Sequence, residues 1–366
     1  MMLSKHHYAR ELVKRGNTVY FLNPPTLDSP GTPIISPHKS IEGLYVIDYN
    51  THIKGERKLP LWVLNFLRKK QASKIVAAIG KPIDVVWSFY PTVFFNLQNF
   101  DAGIHILHPV DKVLEKKYYK YAKNADVVFS VSDFILNDFA PYNKHCYFIN
   151  HGLSDQYAEE ATKRINQGEL TNSSPEHKLR VGYVGNLLRA DIDQQSLITV
   201  IKKYTDIDFI FWGPYEYHQL QWKHKGDDRV IAFIKFLQES PNVELKGLKA
   251  PDVVMDEAAS VDFFICCYDP QREINRASNN HKLMEYLSTG KVVVSNFVEA
   301  YKDKKSLLEM SEGFDNKDYP KIFEAVTNNL DNCNSHKLRM ARINFALQNT
   351  YVHQVNRIEK IVNEIA

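Results

Sequence analysis

Residues 279–295, NNHKLMEYLSTGKVVVS, put amide, cationic and acidic side chains where a helix would begin. Asn279 and Asn280 are good caps, Lys282 falls in the first turn, and Gly290 stops the helix before an apolar strand at 291–295. Free backbone N–H groups and the positive end of the helix dipole favour a diphosphate at such a start. Ser278 stands beside the caps, and His281 and Lys282 add positive charge. Glu285 follows one turn later on the same face, where a carboxylate can accept both hydroxyls of a ribose. The spacing also fits a plain amphipathic helix with Leu283, Tyr286 and Leu287 against a sheet, and helical spacing alone favours that plainer account.

A second group begins at residues 180–193, RVGYVGNLLRADID, an apolar strand running into a glycine loop. Gly185 and Asn186 would let the backbone approach an anion, and Arg189 could bridge a diphosphate bidentately. In GIHILHPVD, His108 ends a strand, the position from which ligands are met in open α/β sheets. It could bind a sugar hydroxyl or take a proton, with Asp111 orienting it or serving as base; a histidine satisfied by backbone is the plainer account. His105 and His108 would point to opposite faces of that strand, which argues against zinc. The acidic pairs Asp191/Asp193 and Asp206/Asp208 lack the setting of a metal site, so no essential metal is expected. Ser132 and Ser154 lack the flanking glycines of a nucleophile elbow.

These groups need elements to hold them. Short β-branched and aromatic runs alternate with helical patterns, the mark of βαβ units and parallel sheets. Strands are expected at 19–23, 44–48, 85–89, 104–108, 127–131 and 147–150, then at 180–185, 209–213, 243–246, 263–267 and 292–295, giving two open parallel sheets. At 366 residues two domains are expected: 1–160, a polar linker at 161–178 within the stretch 159–178, then 179–345, with a C-terminal helix at 346–366 that could pack back on the first domain. Ser4 looks like an N-cap and the helix 5–14 begins at once, so the usual opening strand of a doubly wound domain is missing and a late start is favoured.

Composition, 44% apolar and 24% charged, is that of a globular protein, and no run is long enough for a signal peptide or a spanning helix, so a cytoplasmic chain is expected. Four cysteines without paired spacing read as buried thiols. Residues 1–150 hold 19 Lys and Arg against 12 Asp and Glu, a balance of +7, while the remainder has 27 against 31, or −4. The basic half could meet an anionic surface, through 61–79 with Arg68, Lys69, Lys70 and Lys74 and through Lys112, Lys116, Lys117, Lys120 and Lys123; a solvated helical face is the simpler alternative. No nucleic-acid motif accompanies the charge.

The string HKLMEYLSTGKVVVS resembles the nucleotide-sugar-binding helix and strand of bacterial GT-B glycosyltransferases of the family-4-like, polysaccharide-biosynthesis type. That resemblance implies two Rossmann-like α/β domains facing across a cleft. It implies a ribose-binding role for Glu285 and diphosphate-binding roles for Asn280 and Lys282. Ala277 stands where many relatives carry a second glutamate. The glycine loop with Gly185, Asn186 and Arg189 is similar to the family's donor-phosphate loop, and FIFWGP and LKGLKAPD resemble strand ends that cradle the base, placing Gly213, Gly247 and Leu248 there. His108 matches the histidine that retaining members point into the cleft. His6, His7 and His151 match positions beside the acceptor.

The expected function is metal-independent, retaining hexosyl transfer (EC 2.4) from a UDP- or GDP-type sugar, a co-substrate with no other cofactor. The acceptor would be a glycan or lipid-linked glycan, met at the inner face of the plasma membrane. The alternatives are a nucleotide-sugar epimerase or hydrolase of related fold, and a non-catalytic glycan-binding partner subunit.

Overall fold

The computed structural model describes residues 3–25, 28, 30–51, 53, 55–168, 178–219, 227–269, 271–272 and 278–365. They fall into two compact units, one comprising the chain up to His151 together with the residues from Tyr351 on, the other Gly152–Thr350.

The first unit opens with α1 (Ser4–Lys14), and among the described residues no strand precedes it. The expected cap is displaced. Leu3 is the N-cap residue and Ser4 the first helical one; the Ser4 hydroxyl lies 3.0 Å from His151 Nδ1 and 3.2 Å from the Tyr351 hydroxyl. Gly16 ends the helix at φ +85°, a conformation only glycine adopts without cost.

Beyond α1 the chain forms β1 (Val19–Leu22), β2 (Ile34–Pro37), β3 (Leu44–Asp48), α2 (Leu61–Ile79), β4 (Val85–Ser88), β5 (Ile104–Leu107), β6 (Val127–Ser130), α3 (Asp133–Phe139) and β7 (Cys146–Phe148). The single parallel sheet expected here comes in two pieces. One has order β1-β3-β2 with β2 antiparallel, and the other is the all-parallel β4-β5-β6-β7. The extra strand β2 ends in Pro37 and is mostly exposed, so it carries no apolar alternation for a sequence reading to detect. One core gathers Tyr8, Phe129 and Ile149 with Tyr351, Val355, Ile358 and Val362 of the C-terminal helix (Tyr351–Ile365). Another joins Ile47 to Ala72 and Ile75 of α2.

The second unit begins with α4 (Asp155–Gln167), which corrects the linker expected from 161. Ala161 is its only buried residue and packs with Ile343, while the half-buried Tyr157, Ala158 and Ile165 line the same side; that short stripe starts ahead of the polar stretch 159–178, which holds only its second half. Then come β8 (Arg180–Val184), α5 (Gln194–Lys203), β9 (Asp208–Trp212), α6 (Asp228–Glu239), β10 (Val243–Gly247), α7 (Pro251–Glu257), β11 (Phe263–Cys266), α8 (Lys282–Ser288), β12 (Val293–Ser295) and β13 (Glu309–Met310). α9 (Tyr319–Asn328), α10 (Leu330–Cys333) and α11 (His336–Leu347) follow. The sheet order is β10-β9-β8-β11-β12-β13, every pairing parallel. Consecutive strands run outward in one direction from β8 and in the other from β11. Such a reversal of strand order opens a crevice at the carboxyl ends of the two central strands.

Candidate functional site

Three glycines stack where β8, β9 and β10 end. The Gly185 N–H donates to the Trp212 carbonyl at 2.8 Å, and the Gly213 N–H to the Gly247 carbonyl at 2.8 Å. Gly213 has φ +136°, and a Cβ there would lie 1.8 Å from the Gly185 carbonyl oxygen, so the two loops approach too closely for any side chain. Asn186 turns the loop by accepting the Leu188 N–H at 2.9 Å. Leu248, after β10, is 63% exposed.

On the β11 side the chain reaches α8. His281 is its N-cap residue, and the capping is done by Asn280, whose Oδ1 accepts the Lys282 N–H at 3.0 Å. Asn280 Nδ2 donates to the Tyr268 hydroxyl at 2.9 Å, tying the helix start to the end of β11. Asn279 is buried and Ser278 half-buried; Ala277 lies outside the described residues. Tyr286 hydrogen-bonds the Val184 N–H at 2.7 Å and stacks on Phe264 at 4.3 Å, which locks α8 against both central strands. Gly290, at φ +77°, follows the helix.

The charged groups at these strand ends are already paired within the chain. Arg189 donates from Nε and Nη2 to Asp191 at 2.8 and 2.5 Å and lies 5.4 Å from the Tyr268 ring centre; the hydrogen bonds to Asp191 raise its pKa. Lys282 Nζ lies 2.9 and 3.2 Å from the Glu285 carboxylate oxygens. Tyr157 of α4 also hydrogen-bonds Glu285, and burial first, then that carboxylate, pushes the phenol pKa up. Burial pushes Tyr268 up to about 12. An incoming diphosphate would therefore exchange partners with Asp191 and Glu285 instead of meeting free cations. Asp193, the second acid of the first pair, caps α5 through the Ser196 N–H at 3.1 Å and accepts from Asn316 at 2.9 Å.

Tyr157 and Tyr268 were not singled out in the sequence. Tyr268 follows FFICC at the carboxyl end of β11, so the strand-end rule used for His108 would have found it. Tyr157 lies ahead of the polar stretch 159–178, at the start of α4.

In the first unit, His108 directly follows β5 and is wholly buried among Tyr8, Trp87, Phe89 and Phe129, with ring centres 5.0 to 5.9 Å away. Among the described residues neither ring nitrogen has a hydrogen-bond partner, and Asp111, which is exposed, does not hydrogen-bond it here. Burial, then the nearby His151, lowers its pKa to about 3. His151 is buried against Ser4 and its carbonyl accepts from Gln354 at 3.3 Å. The structure thus brings His108 and His151 together. His6 and His7 diverge: His6 stacks on Phe21 at 5.1 Å, its Nδ1 accepting the Leu3 N–H, while His7 stacks on Tyr351 at 4.6 Å. Burial and then Lys5 lower the His6 pKa.

No family model matches the chain, and no curated protein matches it. Solved structures do. A glycosyltransferase from Rickettsia africae is 13% identical, covers 99% of this chain and 94% of its own, and superposes with a TM-score of 0.66. A UDP-forming α,α-trehalose-phosphate synthase from Burkholderia xenovorans is 12% identical, with coverage of 97% and 96% and a TM-score of 0.68. The Anabaena HepE protein in complex with UDP is 14% identical, with coverage of 81% and 82% and a TM-score of 0.59. At such identities the likeness is one of fold: the chain has the GT-B glycosyltransferase fold, with α/β units built on parallel sheets.

Proposed function

We propose that the chain transfers a sugar from a nucleotide-diphosphate donor, held at the β8/β11 crevice of the second unit, to a glycan or lipid-linked glycan bound by the first. The observation that carries the reading is the convergence, at that crevice, of the Gly185–Gly213 close approach, the Asn280-capped start of α8, and Arg189, Lys282 and Glu285. Glycine loops admit the diphosphate to the backbone, Arg189 and Lys282 neutralise it as the glycosidic bond breaks, and Glu285 accepts from the ribose. Neighbours of this fold that carry UDP and UDP-glucose support a UDP-type donor. Retention of configuration, hexosyl transfer without an essential metal, and a polysaccharide acceptor complete the proposal.

Titration calorimetry with UDP, GDP and their sugars tests it. We expect binding that weakens about 10- to 100-fold in Glu285→Ala, the loss of a charge-assisted hydrogen-bond pair. No binding of any nucleotide at millimolar concentration would refute the donor site.

One observation favours a second reading, a nucleotide-sugar-binding subunit without transfer: His108 is buried in an aromatic cluster, its nitrogens without a hydrogen-bond partner among the described residues. Donor that binds but is never consumed, whatever glycan is offered, would decide for it.

A further inference from the structure

The helix α2 turns Leu64, Arg68, Ala72 and Ile75 inward. On its opposite face Trp62 is 75% exposed and Phe66 55% exposed, in line with Lys69 and flanked by Lys70 and Lys74. Two large aromatic side chains on one solvent-facing turn are costly to leave in water and call for a covering surface. The Lys70 ammonium lies 4.5 Å above the Phe66 ring, so charge and apolar area are presented together.

A second exposed cationic segment lies nearby. Residues 116–124 form a 3₁₀ helix in which Lys117 and Lys120 sit 5.0 and 5.7 Å from the rings of Tyr118 and Tyr121. Those tyrosines pack on Phe95 at 5.0 and 4.6 Å, and Asn99 donates to Asn65 of α2 at 3.1 Å. The stretch 95–99 therefore borders both cationic segments. Among the described residues no carboxylate pairs with Lys69, Lys70, Lys117 or Lys120.

We propose that this face docks on an anionic lipid bilayer, with Trp62 and Phe66 entering the headgroup boundary and the lysines meeting lipid phosphates. Charge complementarity names the partner: cations surround the aromatic pair in a half of the chain whose balance is +7, from 19 basic and 12 acidic residues. An interfacial helix has this division of labour, aromatic anchors on its apolar side and lysines beside them reaching phosphate. Neither half suffices by itself, because exposed lysines alone adhere to any polyanion and exposed aromatics alone to any apolar surface. Docking here is independent of nucleotide binding in the other unit and would bring a lipid-borne acceptor to the protein.

The test uses the full chain with vesicles of phosphatidylcholine alone, or of equal parts phosphatidylcholine and phosphatidylglycerol, followed by co-sedimentation. We expect association with the anionic vesicles only, weakened by salt, at about fivefold per lysine. Reversing Lys69, Lys70, Lys117 and Lys120 to Glu should reduce it more than about a hundredfold. Trp62→Ser with Phe66→Ser should reduce it at least about tenfold. Unchanged circular dichroism in each variant reports an intact fold. Absence of binding to anionic vesicles at low salt overturns the proposal, as does equal binding to neutral vesicles. Binding that needs the lysines but survives loss of both aromatics is adhesion to any polyanion, nucleic acid included, and also overturns it.

Discussion

The His108 ring lies against Tyr8, Trp87, Phe89 and Phe129, and among the described residues neither of its nitrogens has a hydrogen-bond partner. The folded protein therefore keeps this imidazole neutral down to about pH 3, whereas an unfolded one titrates near 6.5. Between those values the unfolded chain binds the extra proton, so stability is undiminished above about 6.5 and falls as the pH drops toward about 3, by up to about 1.4 kcal/mol per pH unit. Urea unfolding of wild type and His108→Phe across this range should show the difference between them shrinking or reversing as pH falls. Parallel curves would mean that His108 titrates normally. The type and strand-end place of His108 were legible in GIHILHPVD. Its burial was not, because the rings that enclose it come from positions 8, 87, 89 and 129. The same holds for the pairing of Lys282 and Glu285: their spacing is plain in the sequence, while the Tyr157 that shares the carboxylate lies in another helix.

Strand ends with glycine were the most legible elements, since β8 and β9 are mostly apolar and stopped by Gly185 and Gly213, and β10 alternates Val243 and Leu245 with Glu244 and Lys246 before Gly247. What could not be read is why Gly213 must be glycine: its neighbour across the loop, the Gly185 carbonyl, is 28 residues earlier in the chain. Gly213→Ala would force both loops apart and hold a side chain at φ +136°. We expect a loss of about 3 kcal/mol or more in stability, from strain and clash together, and weakened nucleotide binding. Thermal melting and the same calorimetric titration measure both. Wild-type behaviour in that variant would mean the close approach is not maintained in solution. Elements with a one-sided pattern were found to within a residue or two, as with β3 (Leu44–Asp48), whereas the mostly exposed β2 had none to show and the short stripe of α4 begins ahead of the polar stretch 159–178.

At the scale of the molecule, the path of the chain decides which core depends on which segment. Tyr351, Val355, Ile358 and Val362 complete the core around Tyr8, Ile106 and Phe129, although a whole α/β unit separates them in sequence. At about 1.5 to 3 kcal/mol per buried side chain, the four contribute roughly 6 to 12 kcal/mol as an upper bound, comparable with the entire stability of a domain. Ending the chain at Thr350 should therefore unfold the first unit and leave the second with its own cooperative melt, which calorimetric scanning would resolve as the loss of one transition. Two retained transitions would show that the C-terminal helix is dispensable.

That returning helix also sets a schedule during synthesis. The first unit leaves the ribosome early yet cannot close its core until residues 351–365 have been made, so Tyr8, Ile106, Val127 and Phe129 must wait, partly uncovered, while the second unit folds ahead of them. Until then the apolar groups of the first unit are the ones open to non-native contacts.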